Sequence, residues 1–306
     1  MSADSGRHRR ILALALAVGA LSLIVVAVSA WLRLDAAGLG CADWPGCYGE
    51  VLAGPPSPQH YGFARLLHRV TASLSLVLAA ILVWQCLRPQ PLPAARPALL
   101  LLLLMLTLAA LGVASADPRR ALVGFLNIVG GFGLVSFSWR VVLALRDGGS
   151  TPETAAGKAP SGTWAALGLA ALTLAVFAGA WIGATYSAPA CPSLPLCGGE
   201  LRALGEGWSA LNPFRGLNAA AMPGDPGGVL LHLLHRGFAL LAVLVLGAAL
   251  LSSGRRVAAG CALVLLLLTA ALGVVAVAGG MGLWVTVAHG TLAALLLAAV
   301  AGAMRR

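Results

Sequence analysis

The chain is 306 residues long, 59% hydrophobic and only 10% charged, with a mean hydropathy of +0.92. Soluble domains carry about a quarter charged residues, so a water-facing globular surface is excluded. The net charge of +10 is scattered between apolar blocks and forms no stripe or arm, which argues against a nucleic-acid interface.

A helix needs roughly 20 apolar residues to cross a hydrocarbon layer of about 30 Å. Stretches of that kind lie at 11–32, 62–86, 97–115, 121–145, 163–186, 229–252, 257–279 and 281–304. They predict an all-α integral membrane protein with eight spans. The first stretch follows Arg7, Arg9 and Arg10 but lacks a small-residue cleavage site before Trp31 and Arg33, so it reads as a span and not as a signal peptide. After it comes a loop holding Cys41 and Cys47. The second span then opens with Arg65-Leu66-Leu67-His68-Arg69.

The connection at 146–162, rich in Gly, Ser, Thr and Pro, is the most linker-like segment. It separates an N-terminal half, 1–145, from a C-terminal half, 163–306. The second half repeats the plan of the first: a span, a loop with Cys191 and Cys197, then a helix with His232-Leu233-Leu234-His235-Arg236. The shared order predicts a duplicated four-helix unit, hence two pseudo-symmetric bundles. Lys and Arg favour the cytoplasmic side of a membrane. With both termini inside, the inner segments hold Arg88, Arg96, Arg140, Arg146, Lys158, Arg255 and Arg256, and most acids fall outside. Arg119 and Arg120 break the rule.

Four of the six cysteines form C-x5-C pairs in the two outer loops. An oxidising outer face permits structural disulfides, each closing a short loop and stabilising by roughly 2–3 kcal/mol. Redox-active thiols and a metal site are the alternatives for the same residues. Cys86 and Cys261, within or at the ends of spans, read as small apolar side chains.

Of the six histidines, His8 and His60 fall in solvated segments. The other four lie within or beside spans, where an ionisable residue points to function. At about 1.5 Å per residue, His235 sits roughly 9 Å and His289 roughly 12 Å below the outer ends of their spans. Those two spans run in the same direction. Two imidazoles at similar depth suit axial ligation of one heme iron from both sides, with propionates toward Arg236. The plain alternative is an interhelical hydrogen bond for each. Zinc shared by His232 and His235 lacks further ligands close in sequence. In the first half His68 holds the matching position, but the fourth span has Asn127 where His289 would fall.

At these residues the chain resembles the heme A synthase family. The segment Gly38-Leu39-Gly40-Cys41-Ala42-Asp43-Trp44-Pro45-Gly46-Cys47, preceded by Arg33, is the most specific match. The pairs His68-Arg69 and His235-Arg236, the Cys191–Cys197 loop and His289 complete it. The resemblance implies heme b ligated by His235 and His289 in the C-terminal half. It also implies heme O as substrate in the N-terminal half, with His68 as iron ligand. Arg236, beside the heme b ligand His235, and Arg69, beside His68, are weaker candidates for propionate contacts. The implied reaction oxidises the C8 methyl of heme O to the formyl of heme A. The implied setting is a bacterial-type inner membrane, beside membrane lipid, a heme O synthase or cytochrome oxidase assembly proteins, and an electron acceptor the sequence does not specify. Two positions depart from the family pattern: Arg65 stands where it has glutamate and Asn127 where it has histidine. A non-catalytic heme-binding paralogue, acting in oxidase assembly or electron relay, is therefore the second reading, and a two-repeat transporter the third.

Overall fold

The computed structural model describes residues 2–54, 62–114, 117–147 and 162–304. Most of the expected linker, 148–161, and His60 lie outside them. Eight helices are long and apolar enough to cross a membrane. They are α1 (Ser2–Ala36), α2 (Gly62–Leu87), α3 (Ala95–Ala114), α4 (Ala121–Asp147), α5 (Thr163–Ala184), α7 (Pro226–Leu251), α8 (Arg256–Ala278) and α9 (Leu283–Ala303). A short helix, α6 (Glu200–Glu206), lies in the loop before α7. The chain is a multi-pass membrane protein built only of helices among the described residues.

The spans match the apolar stretches to within a few residues, except that α1 is longer at both ends. Its polar start remains helical because Arg7 donates to the carbonyls of Gln85, Arg88 and Gln90. That guanidinium satisfies carbonyl groups exposed where α2 ends. At the other end Gly38 and Gly40 take φ of 83° and 76°, which only glycine adopts without strain. A Cβ on Gly38 would also stand 2.9 Å from the Cys47 carbonyl oxygen, so this turn admits nothing larger.

In the N-terminal half α2 packs on α1 and α3, and α4 packs on the same two helices. In the C-terminal half α5 packs on α7, α7 on α8 and α8 on α9. The halves meet where α1 and α4 contact α9, and α4 contacts α5. Val26, Phe132, Val135, Ala294 and Ala298 form the apolar core of that junction. Between lipid-solvated helices burial of apolar surface drives nothing, so close approach by small residues does the work. Gly168 is one such point: a Cβ there would stand 2.6 Å from the Leu246 backbone nitrogen. Leu246 closes a π-helical turn over Ala242–Leu246 in α7, a feature common near functional sites.

All loops with cysteines lie at one end of the bundle. The 185–225 segment folds over that end and is sewn down by backbone bonds from Ala221 to Tyr186 and from Gly224 to Ala190. Trp181 Nε1 also donates to the Ala210 carbonyl. Arg119, anomalous by charge distribution, has a structural task here. Its Nε donates to the Leu52 carbonyl at 3.0 Å, and its own carbonyl accepts from Leu217 N. It ties the first loop to the third.

Candidate functional site

His235 and His289 face each other inside the C-terminal half. Their ring centroids are 6.1 Å apart with planes at 84°. Each ring is held in the same way. Nδ1 of His235 donates to the Ala175 carbonyl of α5 at 2.8 Å, and Nδ1 of His289 donates to the Thr269 carbonyl of α8 at 2.9 Å. Such carbonyls already accept from the N–H four residues on, and the side chain at that position would shield them. In both cases that residue is glycine. A Cβ on Gly179 would lie 2.9 Å from His235 Cε1, and one on Gly273 would lie 3.1 Å from His289 Cε1. Each glycine is thus a notch that admits an imidazole to the helix surface.

The notches also fix which nitrogen is available. Measured from the same Cβ positions, Nε2 is the more distant ring nitrogen, at 3.8 Å for His235 and 4.0 Å for His289. With Nδ1 carrying the proton, Nε2 of each ring keeps its lone pair and has no hydrogen-bond partner among the described residues. A backbone carbonyl behind a ligating imidazole sets its tautomer and raises its basicity. Two metal–imidazole bonds of about 2.0–2.1 Å, plus the offset from nitrogen to centroid, bring trans rings to roughly 6 Å. The observed separation fits one metal held between the two rings. A closed site of several protein ligands does not form: no group of three or more His, Cys, Asp or Glu could hold a metal among the described residues. His232 bonds the Ser187 carbonyl through Nε2 at 3.0 Å and is 3% exposed, so it fastens the loop to α7.

Both expected disulfides are present, Cys41–Cys47 and Cys191–Cys197. Arg236 engages the second one. Its Nη1 donates to the carbonyls of Ser193 and Pro195 and toward Cys197 Sγ, and its Nη2 to the Cys191 carbonyl. Glu200 accepts from the N–H of Cys197 and Gly198, each at 2.7 Å. Bonds from backbone N–H groups, its own first and then those of Gly198 and Cys197, hold its pKa below the ordinary glutamate value.

The first half lacks this arrangement. His68 is half-buried on α2, between exposed Leu67 and Arg69. Its ring makes no hydrogen bond among the described residues. Arg65 is exposed on the same helix, and Asn127 is half-buried on α4. The Leu-Gly-Val of α8 around Gly273 recurs in α3 as Leu111-Gly112-Val113. A Cβ on Gly112 would meet nothing within 4 Å. No imidazole of the described residues packs against it.

Sequence reasoning located the histidines by depth but missed Gly179 and Gly273. The available signal was a glycine at one fixed place in the helix preceding each histidine helix. Among 38 glycines it does not stand out.

A family model described as cytochrome oxidase assembly protein matches residues 120–301. A heme A synthase of Shewanella oneidensis is 30% identical over 308 residues, covering 90% of each chain.

Proposed function

The chain belongs to the cytochrome oxidase assembly family that includes heme A synthase, and on that footing we propose that it is a heme A synthase-type membrane oxidoreductase. One observation carries this reading. His235 and His289 form a pre-set pair of half-buried imidazoles at metal-bridging separation, each with its Nδ1 tied to a backbone carbonyl. A b-type heme held there would supply one-electron redox chemistry when bound. The substrate would be heme O, seated in the N-terminal half against His68. Its C8 methyl would be oxidised in the sense R–CH3 + H2O → R–CHO + 4 e− + 4 H+, through the alcohol, with the electrons leaving to a membrane or oxidase-assembly partner. The cysteine-loop end would face outward from a bacterial-type inner membrane, with both termini cytoplasmic.

The residues of the C-terminal half would hold and orient such a cofactor. The Cys191–Cys197 loop, gripped by Arg236, packs on the first turns of α7 through Cys197. In the N-terminal half Arg65 cannot act as a base near neutral pH, because a guanidinium stays protonated. Asn127 offers an amide in place of an imidazole. These two residues favour a second reading, a heme-binding paralogue that stores or delivers heme, or relays electrons, without oxidising it.

Co-expression with a heme O synthase separates the two. Heme A in the extracted pigment supports the enzyme. Heme O alone, alongside an intact bis-histidine b-type spectrum, supports the paralogue. Loss of that spectrum in neither His235→Ala nor His289→Ala would refute the ligand assignment itself.

A further inference from the structure

The loop end of α1 reaches across into the other half. Trp31 stacks on Trp284 of α9, with centroids 6.3 Å apart and planes at 19°. Two residues on, Arg33 Nη1 lies 3.6 Å from where a Cβ of Gly183 would stand on α5. Gly183 follows Gly179, the His235 notch, by four residues on the same face of α5. The Arg33 guanidinium therefore meets α5 four residues, about 6 Å of helix rise, nearer the loop end than the His235 ring does. Trp284 is five residues before His289 on α9. One segment of α1 thus reaches both α5, which supports His235, and α9, which carries His289.

Arg33 Nη1 is buried without a hydrogen-bond acceptor among the described residues. The groups beside the guanidinium are the phenols of Tyr48, from the first loop, and Tyr186, at the end of α5. Their rings are 5.9 Å apart, and the residues are 3% and 8% exposed. Burial raises both phenol pKa values above the ordinary tyrosine range, so both remain protonated donors. Neither phenol satisfies a guanidinium N–H. A buried guanidinium N–H without an acceptor is unfavourable, and such a group calls for a partner to account for it. One guanidinium and two hydroxyls, all donors, suit a carboxylate. Arg236, the other arginine near His235, has its Nη donors directed to loop carbonyls.

We propose that Arg33, Tyr48 and Tyr186 form a carboxylate cradle that binds a propionate of the heme held between His235 and His289. The N-terminal half thereby supplies part of the cofactor site of the C-terminal half. The inference rests on the bis-histidine reading above, and one reconstitution experiment tests both.

Full-length protein stripped of pigment is titrated with protoheme and with its propionate dimethyl ester, and the low-spin absorbance is followed. Wild type should take protoheme about 10- to 100-fold more tightly than the ester, the span expected for a buried charge-assisted contact. Arg33→Gln should abolish that preference while keeping the low-spin spectrum, and Arg33→Lys should restore part of it. Tyr48→Phe and Tyr186→Phe should each reduce it, and they keep the test open if Arg33→Gln fails to fold. Equal affinity of wild type for acid and ester would assign the cradle to a small soluble anion and overturn the proposal. So would an undiminished preference in Arg33→Gln and in both phenylalanine variants. A wild type that forms no low-spin species with either pigment would remove the parent reading as well, a result distinct from the other two.

Discussion

The two histidine helices open the same way in sequence and end up in different surroundings. In α7 the first turns are buried under the 185–225 segment: Val229, Leu230, Leu231 and His232 are all enclosed. His235 below them is bonded to α5, notched by Gly179 and faced by His289. In α2 the first turns expose Phe63, Leu66 and Val70, and His68 has no facing imidazole on α4. The difference has a functional sense. A resident cofactor is best served by ligands fixed before it arrives, whereas a substrate that must leave is better served by a looser seat. Two halves of one chain can divide those tasks when only one of them carries a second imidazole.

The harshest way to break the contrast is to remove a ligand. His235→Ala or His289→Ala should eliminate the low-spin b-type spectrum of the purified protein, while His68→Ala should leave it intact. Filling a notch comes next. Gly179→Ala or Gly273→Ala sets a methyl against a ring carbon at 2.9 or 3.1 Å. By displacing the imidazole from its carbonyl it should weaken pigment binding roughly 10- to 100-fold, as loss of outer-shell support does. Gly112→Ala, with open space around it, should change nothing in the same titration. The contrast can also be narrowed. Asn127→His combined with Arg65→Glu should add a second low-spin component on loading with heme O and raise the heme A yield in co-expression.

Smaller effects concern the lid. Replacing Cys191 and Cys197 by serine should lower unfolding stability in detergent by about 2–3 kcal/mol and leave the pigment in place. The Glu200 carboxylate gives the smallest effect. Its pKa is depressed in the folded protein, so its contribution is complete above the ordinary glutamate range. That contribution is lost as pH falls through the lowered value. Protease nicking of the 191–200 loop should therefore increase only in that acidic window, and Glu200→Gln should show the higher rate at neutral pH.

Much of this was legible in the sequence for physical reasons. Membrane spans declare themselves, since nothing but a long apolar run can cross hydrocarbon; the eight stretches differ from the helices mainly where Arg7 extends α1. The C-x5-C loops and the depth-matched His235 and His289 were also visible, because spacing along a helix converts directly to depth. The rest depends on which helix lies beside which. Nothing in the order of residues says that Ala175 and Thr269 offer carbonyls to the two rings. Nor does it say that Arg236 bonds the disulfide loop while Arg33 crosses to the other half. The 200–206 helix was missed because seven residues carry too little periodicity to register.

The proposed activity requires that His235 and His289 share one metal. Low-temperature electron paramagnetic resonance of the oxidised, purified protein tests it most directly. With ring planes at 84°, a low-spin ferric signal of the strongly anisotropic type, produced by near-perpendicular imidazoles, is the predicted result. A high-spin ferric signal as the main species would mean that His235 and His289 do not both bind the iron, and would contradict the account.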